Sequence, residues 1–266
     1  MMTIQFNGTP IHVGPLESAS FNALLEEYST CKKVIVVDEN THDCCLEYLL
    51  TAFPSLEDAE VMLLPAGEEN KALEVCYQVW SAMLEYQINR NDLVINLGGG
   101  VVTDLGGFIA SVYKRGIDFI HIPTSLMGMV DAAIGGKNGV DLNGLKNIIG
   151  TITQPKAIFV YAGFLETLPP EEVFNGYAEM LKHALILDEN YWNQLKSLNS
   201  EEELIDQLKD KFNNYPNKNM RKFTKSIQQC SIKPSLDDGS PRPTHYYGSN
   251  NGSIYHNKYG KLFLEF

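Results

Sequence analysis

The chain has 266 residues, 44% of them hydrophobic and 20% charged, which supports a packed core and excludes a disordered or low-complexity protein. Its net charge of −12 argues against a nucleic-acid surface and against docking on anionic lipid. There are five cysteines, none in a CxxC and two adjacent (Cys44, Cys45). With no leader-like N-terminus and no apolar run of membrane-spanning length, they point to reduced thiols in the cytoplasm.

Residues Thr3 to Val13 alternate around Asn7-Gly8 and predict a β-hairpin, followed by a short helix over Phe21 to Tyr28. The β-branched run Lys33 to Val37 has the character of a central parallel strand and ends in Asp38-Glu39-Asn40. An acid at that carboxyl end can take a ribose hydroxyl, and Asn40 or His42 can bond a base. Equally, Asp38 or Asn40 can cap a helix from His42 to Phe53, and capping is the simpler reading. A strand over Glu60 to Leu64 leads into the loop from Pro65 to Lys71. The helix from Ala72 to Tyr86 is expected to turn Leu73, Cys76, Tyr77, Trp80 and Leu84 to the core. Glu68 and Lys71 read as a solvated pair of small value.

The next stretch is the most informative. A buried strand over Asp92 to Leu97 runs into Gly98-Gly99-Gly100, then into Val101, Val102, Leu105, Phe108, Ile109 and Val112 at helical spacing. Strand, glycine turn and helix start make an anion site: the backbone can approach a phosphate, and the helix's first N–H groups and dipole favour negative charge. The spacing Gly98-x-Gly100-x-x-Thr103 lacks the third glycine of the dinucleotide fingerprint.

A strand over Asp118 to Ile122 ends in Pro123-Thr124-Ser125, two hydroxyls that can touch a nucleotide or cap the segment starting at Leu126. Asp131 lies in an otherwise apolar run, as a partnered structural group or a ligand contact. Gly135 to Val140 has the turn chemistry of a hairpin. Lys137, Lys146 and Asn147 fall in glycine-bearing loops and suit a phosphate or carboxylate. After a strand over Ala157 to Tyr161, Pro169-Pro170 opens a helix on which Glu179, Lys182 and His183 share one face. Glu179 and His183 can be two metal ligands on that helix, but an exposed ion-pair face is the simpler reading. Strands alternating with helices predict an α/β fold with a doubly wound parallel sheet.

The composition then shifts. Residues 1–216 hold 13 Lys and Arg against 30 Asp and Glu, whereas residues 217–266 hold 8 against 3. Prolines and glycines interrupt every long helix after Ser231. The expected organisation is a Rossmann-like domain over 1–168, the start of a helical domain over 169–212, and an irregular tail over 213–266.

Several runs closely resemble the dehydroquinate synthase family of sugar phosphate cyclases. They are PAGEENK, GGGVVTDLGGFIASVYKRG, IPTSLMGMVDAAIGGKNGVD, LKNIIG, QPKA, LETLPPEE and NGYAEMLKHALI. The resemblance implies a Rossmann-like NAD domain followed by a helical metal and substrate domain. It makes Asp38 and Asn40 adenosine-side contacts of NAD, with Glu68 and Lys71 further contacts. Gly99, Gly100 and Val101 would cradle the pyrophosphate, and Asp104 would face the nicotinamide half. Thr124 and Ser125 would also touch the cofactor, although the family more often has a threonine pair. Asp131 and Lys137 would stand near the reacting carbon, and Lys146 and Asn147 would hold cofactor or substrate. Arg115 would bind the sugar phosphate's phosphate from a neighbouring subunit of a homodimer. Glu179 would be one of three ligands to a divalent zinc or cobalt, with Lys182 beside it for the substrate and His183 only a neighbour.

The implied reaction converts a seven-carbon keto-sugar phosphate, 3-deoxy-arabino-heptulosonate 7-phosphate, to 3-dehydroquinate and phosphate in the shikimate pathway, with NAD recycled. The family's GHxxGH helix and later histidine are not found: after His183 only His245 and His256 remain. The expectation is therefore a truncated or frameshifted chain. It is either a 3-dehydroquinate synthase by descent or an inactive NAD-binding, dimerising fragment.

Overall fold

A computed structural model describes residues 2–187, 189–195, 204–206, 254–256 and 262–264. The chain divides into two compact units, Met1–Ile232 and Lys233–Phe266. In the second, the described residues form one antiparallel pair, β10 (Ile254–His256) with β11 (Leu262–Leu264).

In the first unit, apolar β-branched runs make the strands β3 (Lys33–Asp38), β5 (Leu93–Gly98) and β6 (Asp118–Pro123), buried almost throughout. Such continuous burial is what a parallel sheet covered on both faces requires. With β1 (Met2–Phe6), β2 (Thr9–Val13), β4 (Glu60–Leu64) and β9 (Ile158–Val160), they form seven strands in the order β1-β2-β9-β6-β5-β3-β4. Only the β1–β2 hairpin is antiparallel, and it pairs Phe6 with Thr9 across Asn7-Gly8. From β3 the chain steps outward to β4, then returns past β3 to β5. That reversal is the topological switch at which open α/β sheets bind ligands.

Each face has its own core. On one, α1 (Ala19–Glu27), α3 (Glu47–Ala52), α6 (Pro170–Leu187) and α7 (Glu189–Leu195) close over Phe21, Ile35, Leu49, Ile122 and Phe159. On the other, α4 (Leu73–Glu85) and α5 (Gly100–Val112) close over Val34, Val36, Val94 and Phe119. Val173, Met180 and Ala184 of α6 thus share the core that covers the first face of the sheet.

Two local expectations are corrected. Helix α4 buries Val75, Cys76, Val79 and Met83, while Tyr77 and Leu84 face solvent. The helix has two overlapping apolar stripes, and the sheet takes the one rich in β-branched and sulfur side chains. Second, the glycines at 135–140 do not turn a hairpin. Lys137–Leu142 is strand β7, paired with β8 (Leu145–Ile152), and the chain reverses at Asn143-Gly144, both at positive φ (51° and 76°). Asn-Gly supplies the two left-handed residues that a tight two-residue turn needs. Lys137, Lys146 and Asn147 therefore sit on strands, not in loops.

Asn96 and His121 lie opposite one another in the β5–β6 register, fully inside the second core. The Asn96 amide meets His121 Nδ1 at 3.3 Å. Burial holds the imidazole down at about 3, against 6.5 in an unfolded chain. Between pH 6.5 and 3 the unfolded chain therefore binds a proton that the folded chain refuses. Stability from this group is complete above pH 6.5 and falls as pH drops, at a slope of about 1.4 kcal/mol per pH unit. Burial lowers His183 as well, which adds in the same direction. We expect His121→Gln to flatten the acid limb of the stability profile by about one proton, read as urea midpoints between pH 4 and pH 7. Parallel profiles for the two proteins would contradict a buried neutral imidazole.

Candidate functional site

The ends of β3, β5 and β6 meet at the carboxyl edge of the sheet. Gly98 is level with Pro123, and Thr124 N–H donates to the Gly98 carbonyl at 3.0 Å. A β-carbon on Gly98 would overlap Val102, so the bare backbone here lets α5 start hard against its own strand. Gly99 is the N-cap of α5 and offers no side-chain cap, so the helix's first N–H groups keep their capacity for an outside acceptor. A β-carbon on Gly99 would come within 3.3 Å of Ser125 Oγ, and one on Gly100 within 3.3 Å of Ala132 Cβ. Larger side chains at either position would fill the concavity over the helix end. Val101 is half-buried beside it.

The remaining expected cofactor residues fall around this turn. Asp38 ends β3 and caps α2 (Glu39–Thr41): its Oδ1 accepts from Thr41 N–H and Oγ1–H, both at 2.8 Å, in a capping box. Asn40 is exposed one residue beyond Glu39. Thr124 is buried, and Ser125 Oγ accepts from Gly128 N–H at 3.1 Å. Asp38 remains half-buried beyond its capping role, whereas Ser125 is buried.

Lys71 departs from its expected solvation. It is 3% exposed and donates to Asp104 Oδ2 at 2.5 Å and to Asn147 Oδ1 at 2.6 Å. Glu68 pairs instead with Lys146 at 3.0 Å. A residue that the sequence did not single out, Asp141, joins the two sides of this wall. Its N–H donates to the Lys71 carbonyl at 2.8 Å, and its Oδ1 accepts from Asn147 N–H at 2.7 Å. Burial raises the Asp104 carboxyl, while the ammonium groups of Lys71 and Lys137 pull it back down. Lys137 itself is exposed at the start of β7.

On the opposite wall, Asp131 sits half-buried in a π-helical turn, Gly128–Ala132. Helix α6 presses on this segment, since a β-carbon on Gly176 would come within 2.6 Å of Leu126 and Met127. The Glu179 carboxylate pairs with Lys182, as an ion-pair face requires, but His183 corrects that reading: it is wholly buried, and among the described residues neither ring nitrogen has a hydrogen-bond partner. Among the described residues no three His, Cys, Asp or Glu side chains come together as a metal site. The described residues alone therefore do not fit a three-ligand metal centre; His245 lies outside them. Arg115 is exposed beyond the far end of α5, about 20 Å from the glycine turn at 1.5 Å per helical residue. No helix among the described residues is long and apolar enough to cross a membrane.

This arrangement, a parallel sheet with an uncapped glycine turn at its switch point, is the Rossmann-like architecture of the sugar phosphate cyclases. The solved 2-epi-5-epi-valiolone synthase from Streptomyces hygroscopicus, with NAD+ and Zn2+ bound, superposes with a TM-score of 0.68 at 30% identity, covering 86% of this chain and 62% of that one. A 2-deoxy-scyllo-inosose synthase shares the fold, with a TM-score of 0.66 at 22% identity over 86% of this chain and 62% of its own. Among curated proteins, the 3-dehydroquinate synthase of Parabacteroides distasonis is 44% identical over 161 residues, 60% of this chain and 45% of the relative. That of Acetivibrio thermocellus is 34% identical over 236 residues, 88% of this chain and 62% of the relative. Residues 61–175 match the family described as 3-dehydroquinate synthase N-terminal. The chain is thus similar to the 3-dehydroquinate synthases, and residues 61–175 carry the match to that family. It spans about half the length of the curated relatives it matches, from 41% to 62%.

Proposed function

We propose that this chain binds NAD along the carboxyl edge of β3, β5 and β6, as the cofactor half of a 3-dehydroquinate synthase. The observation that carries the reading is the uncapped start of α5 at Gly99-Gly100, level with Asp38 on one side and Thr124 and Ser125 on the other. The dinucleotide's pyrophosphate would lie on the α5 N-terminus, its adenosine toward Asp38 and Asn40, and its nicotinamide toward Asp104. NAD supplies reversible hydride acceptance when bound.

The substrate we assign is a keto-sugar phosphate, 3-deoxy-arabino-heptulosonate 7-phosphate, giving 3-dehydroquinate and phosphate on the route to aromatic amino acids. In that role Lys137, Asp131 and Lys182 would orient the sugar's hydroxyls, with Lys146 and Asn147 closing the groove. Arg115 stands too far from its own glycine turn to serve it, and in a cytoplasmic homodimer it would reach the partner's substrate phosphate. The family's divalent metal, zinc or cobalt, would take Glu179 as one ligand. The described residues do not complete that centre. The same observation supports a second reading, in which this chain is an NAD-binding, dimerising module without turnover.

Titration calorimetry tests the shared part of both readings. NAD should bind the folded chain with measurable heat at millimolar concentration or below, and Gly99→Leu should abolish it by filling the space against Ser125. A folded chain that gives neither heat nor a thermal shift with NAD overturns the proposal.

A further inference from the structure

Helix α5 carries two adjacent glycines in its interior, Gly106 and Gly107, where glycine is unfavourable. Each has an asparagine seated on its α-carbon. A β-carbon on Gly106 would overlap Asn96 Oδ1, and one on Gly107 would overlap Asn138 Oδ1. Asn96 comes from the sheet and Asn138 from the β7–β8 hairpin, so the helix is gripped from two directions.

Asn138 does more than fill space. It is 5% exposed, and its Nδ2 donates to the carbonyls of Gly136 and Thr153, both at 2.9 Å. Two carbonyl acceptors fix which end of the carboxamide is the amine, and so turn the oxygen onto the helix. Gly136 precedes β7 and Thr153 follows β8, so one side chain ties both ends of the hairpin together and then to α5. The oxygen over a bare Cα–H is the geometry of a weak C–H···O contact, available only to glycine at that distance. A second tie lies further along α5, where Ser111 Oγ meets Thr151 Oγ1 of β8 at 2.7 Å.

We infer that Asn138 is a positioning residue, whose carboxamide locks the hairpin onto α5 at Gly107 and so sets Lys137 over Asp104 in the cofactor groove. The inference rests on the NAD reading for its functional meaning. Lys137 immediately precedes Asn138 in the chain, and its ammonium is one of the charges that pulls the Asp104 carboxyl down. The hairpin also carries Asn147 and Lys146, which hold Lys71 and Glu68. A hairpin free to rock on α5 would blur all of these contacts together.

The test uses the full chain with Asn138→Ala, Gly107→Ala and both together. Hydrogen exchange on the ligand-free proteins should show faster exchange across residues 137–152 in either single variant, with β1–β3 and α1 unchanged. NAD affinity should weaken on the order of tenfold, as is usual when a supporting residue behind a binding group is lost. The double variant should be no worse than Asn138→Ala alone, because removing the carboxamide makes room for the methyl group. If Asn138→Ala does not fold, Asn138→Ser keeps one donor and should show the same local exchange at smaller amplitude. Exchange unchanged in the hairpin, or raised equally throughout the first unit, would overturn the inference, as would additive single effects. Failure of the wild-type chain to bind NAD would instead sink the functional reading, and hairpin exchange would still decide whether Asn138 positions it.

Discussion

Lys71→Met is expected to destabilise the protein by about 3 kcal/mol and to remove NAD binding. Taking one partner from a buried ion pair costs about 3–5 kcal/mol, because the other charge is left without compensation. The lower end applies here, since the carboxylate of Asp104 keeps 21% of its surface exposed while Lys71 keeps 3%. Asn147 loses its donor in the same stroke, so the wall between the 65–71 loop and the hairpin loses one of its bonds as well.

The pH dependence of this variant is set by the direction of the Asp104 shift. Burial already raises that carboxyl, and Lys71 is the largest influence holding it down. Without Lys71 it rises further. An acid raised in the folded state costs stability as pH climbs from its unfolded value through its folded one, and costs nothing below both. The penalty of Lys71→Met should therefore shrink as pH falls from 7.5 toward 5, opposite in slope to the His121 contribution. Urea unfolding of Lys71→Met, Asp104→Asn and the double variant at both pH values separates the two. The double variant should recover most of the loss. A penalty below 1 kcal/mol with no coupling between the two sites would mean that the pair carries little energy.

The strands, the glycine turn and the parallel order were legible because each is written locally, in a β-branched run or a strand–glycine–helix junction. What escaped the sequence was written non-locally. Lys71 reads as solvated because its partner, Asp104, is 33 residues away on another element. Asp141 gives no signal at all until β7 and β8 pair around it. Helix α4 has apolar residues on both sides at i, i+3 and i+4 spacing, so periodicity alone could not choose between Tyr77 and Val79 as the inward residue. The hairpin turn was misplaced because Gly135-Gly136-Lys137-Asn138-Gly139 is rich in turn formers. Asn143-Gly144, between Leu142 and Leu145, was the stronger two-residue signal. The buried polar residues Asn96, His121 and Asn138 offered a further clue, as interruptions of apolar runs that only a specific partner could justify.

The second large effect concerns turnover. With NAD and zinc or cobalt, this chain is expected to form no carbocycle from 3-deoxy-arabino-heptulosonate 7-phosphate. A catalytic metal of this kind needs three protein ligands and an open position. Glu179 carries Lys182 on its carboxylate, His183 is buried one turn along, and among the described residues no three ligating side chains come together. A single carboxylate cannot hold a cation in register with a sugar's hydroxyls, so positioning and charge stabilisation fail together. Each is worth several orders of magnitude in rate by itself. A coupled assay for product, run beside Glu179→Gln, makes the comparison. The two proteins should be indistinguishable from each other and from buffer, while calorimetry on the same samples still reports NAD. Turnover clearly above the Glu179→Gln level would show that further ligands, from the chain beyond the described residues or from a partner subunit, complete the centre. The chain would then be a working 3-dehydroquinate synthase and not its cofactor half.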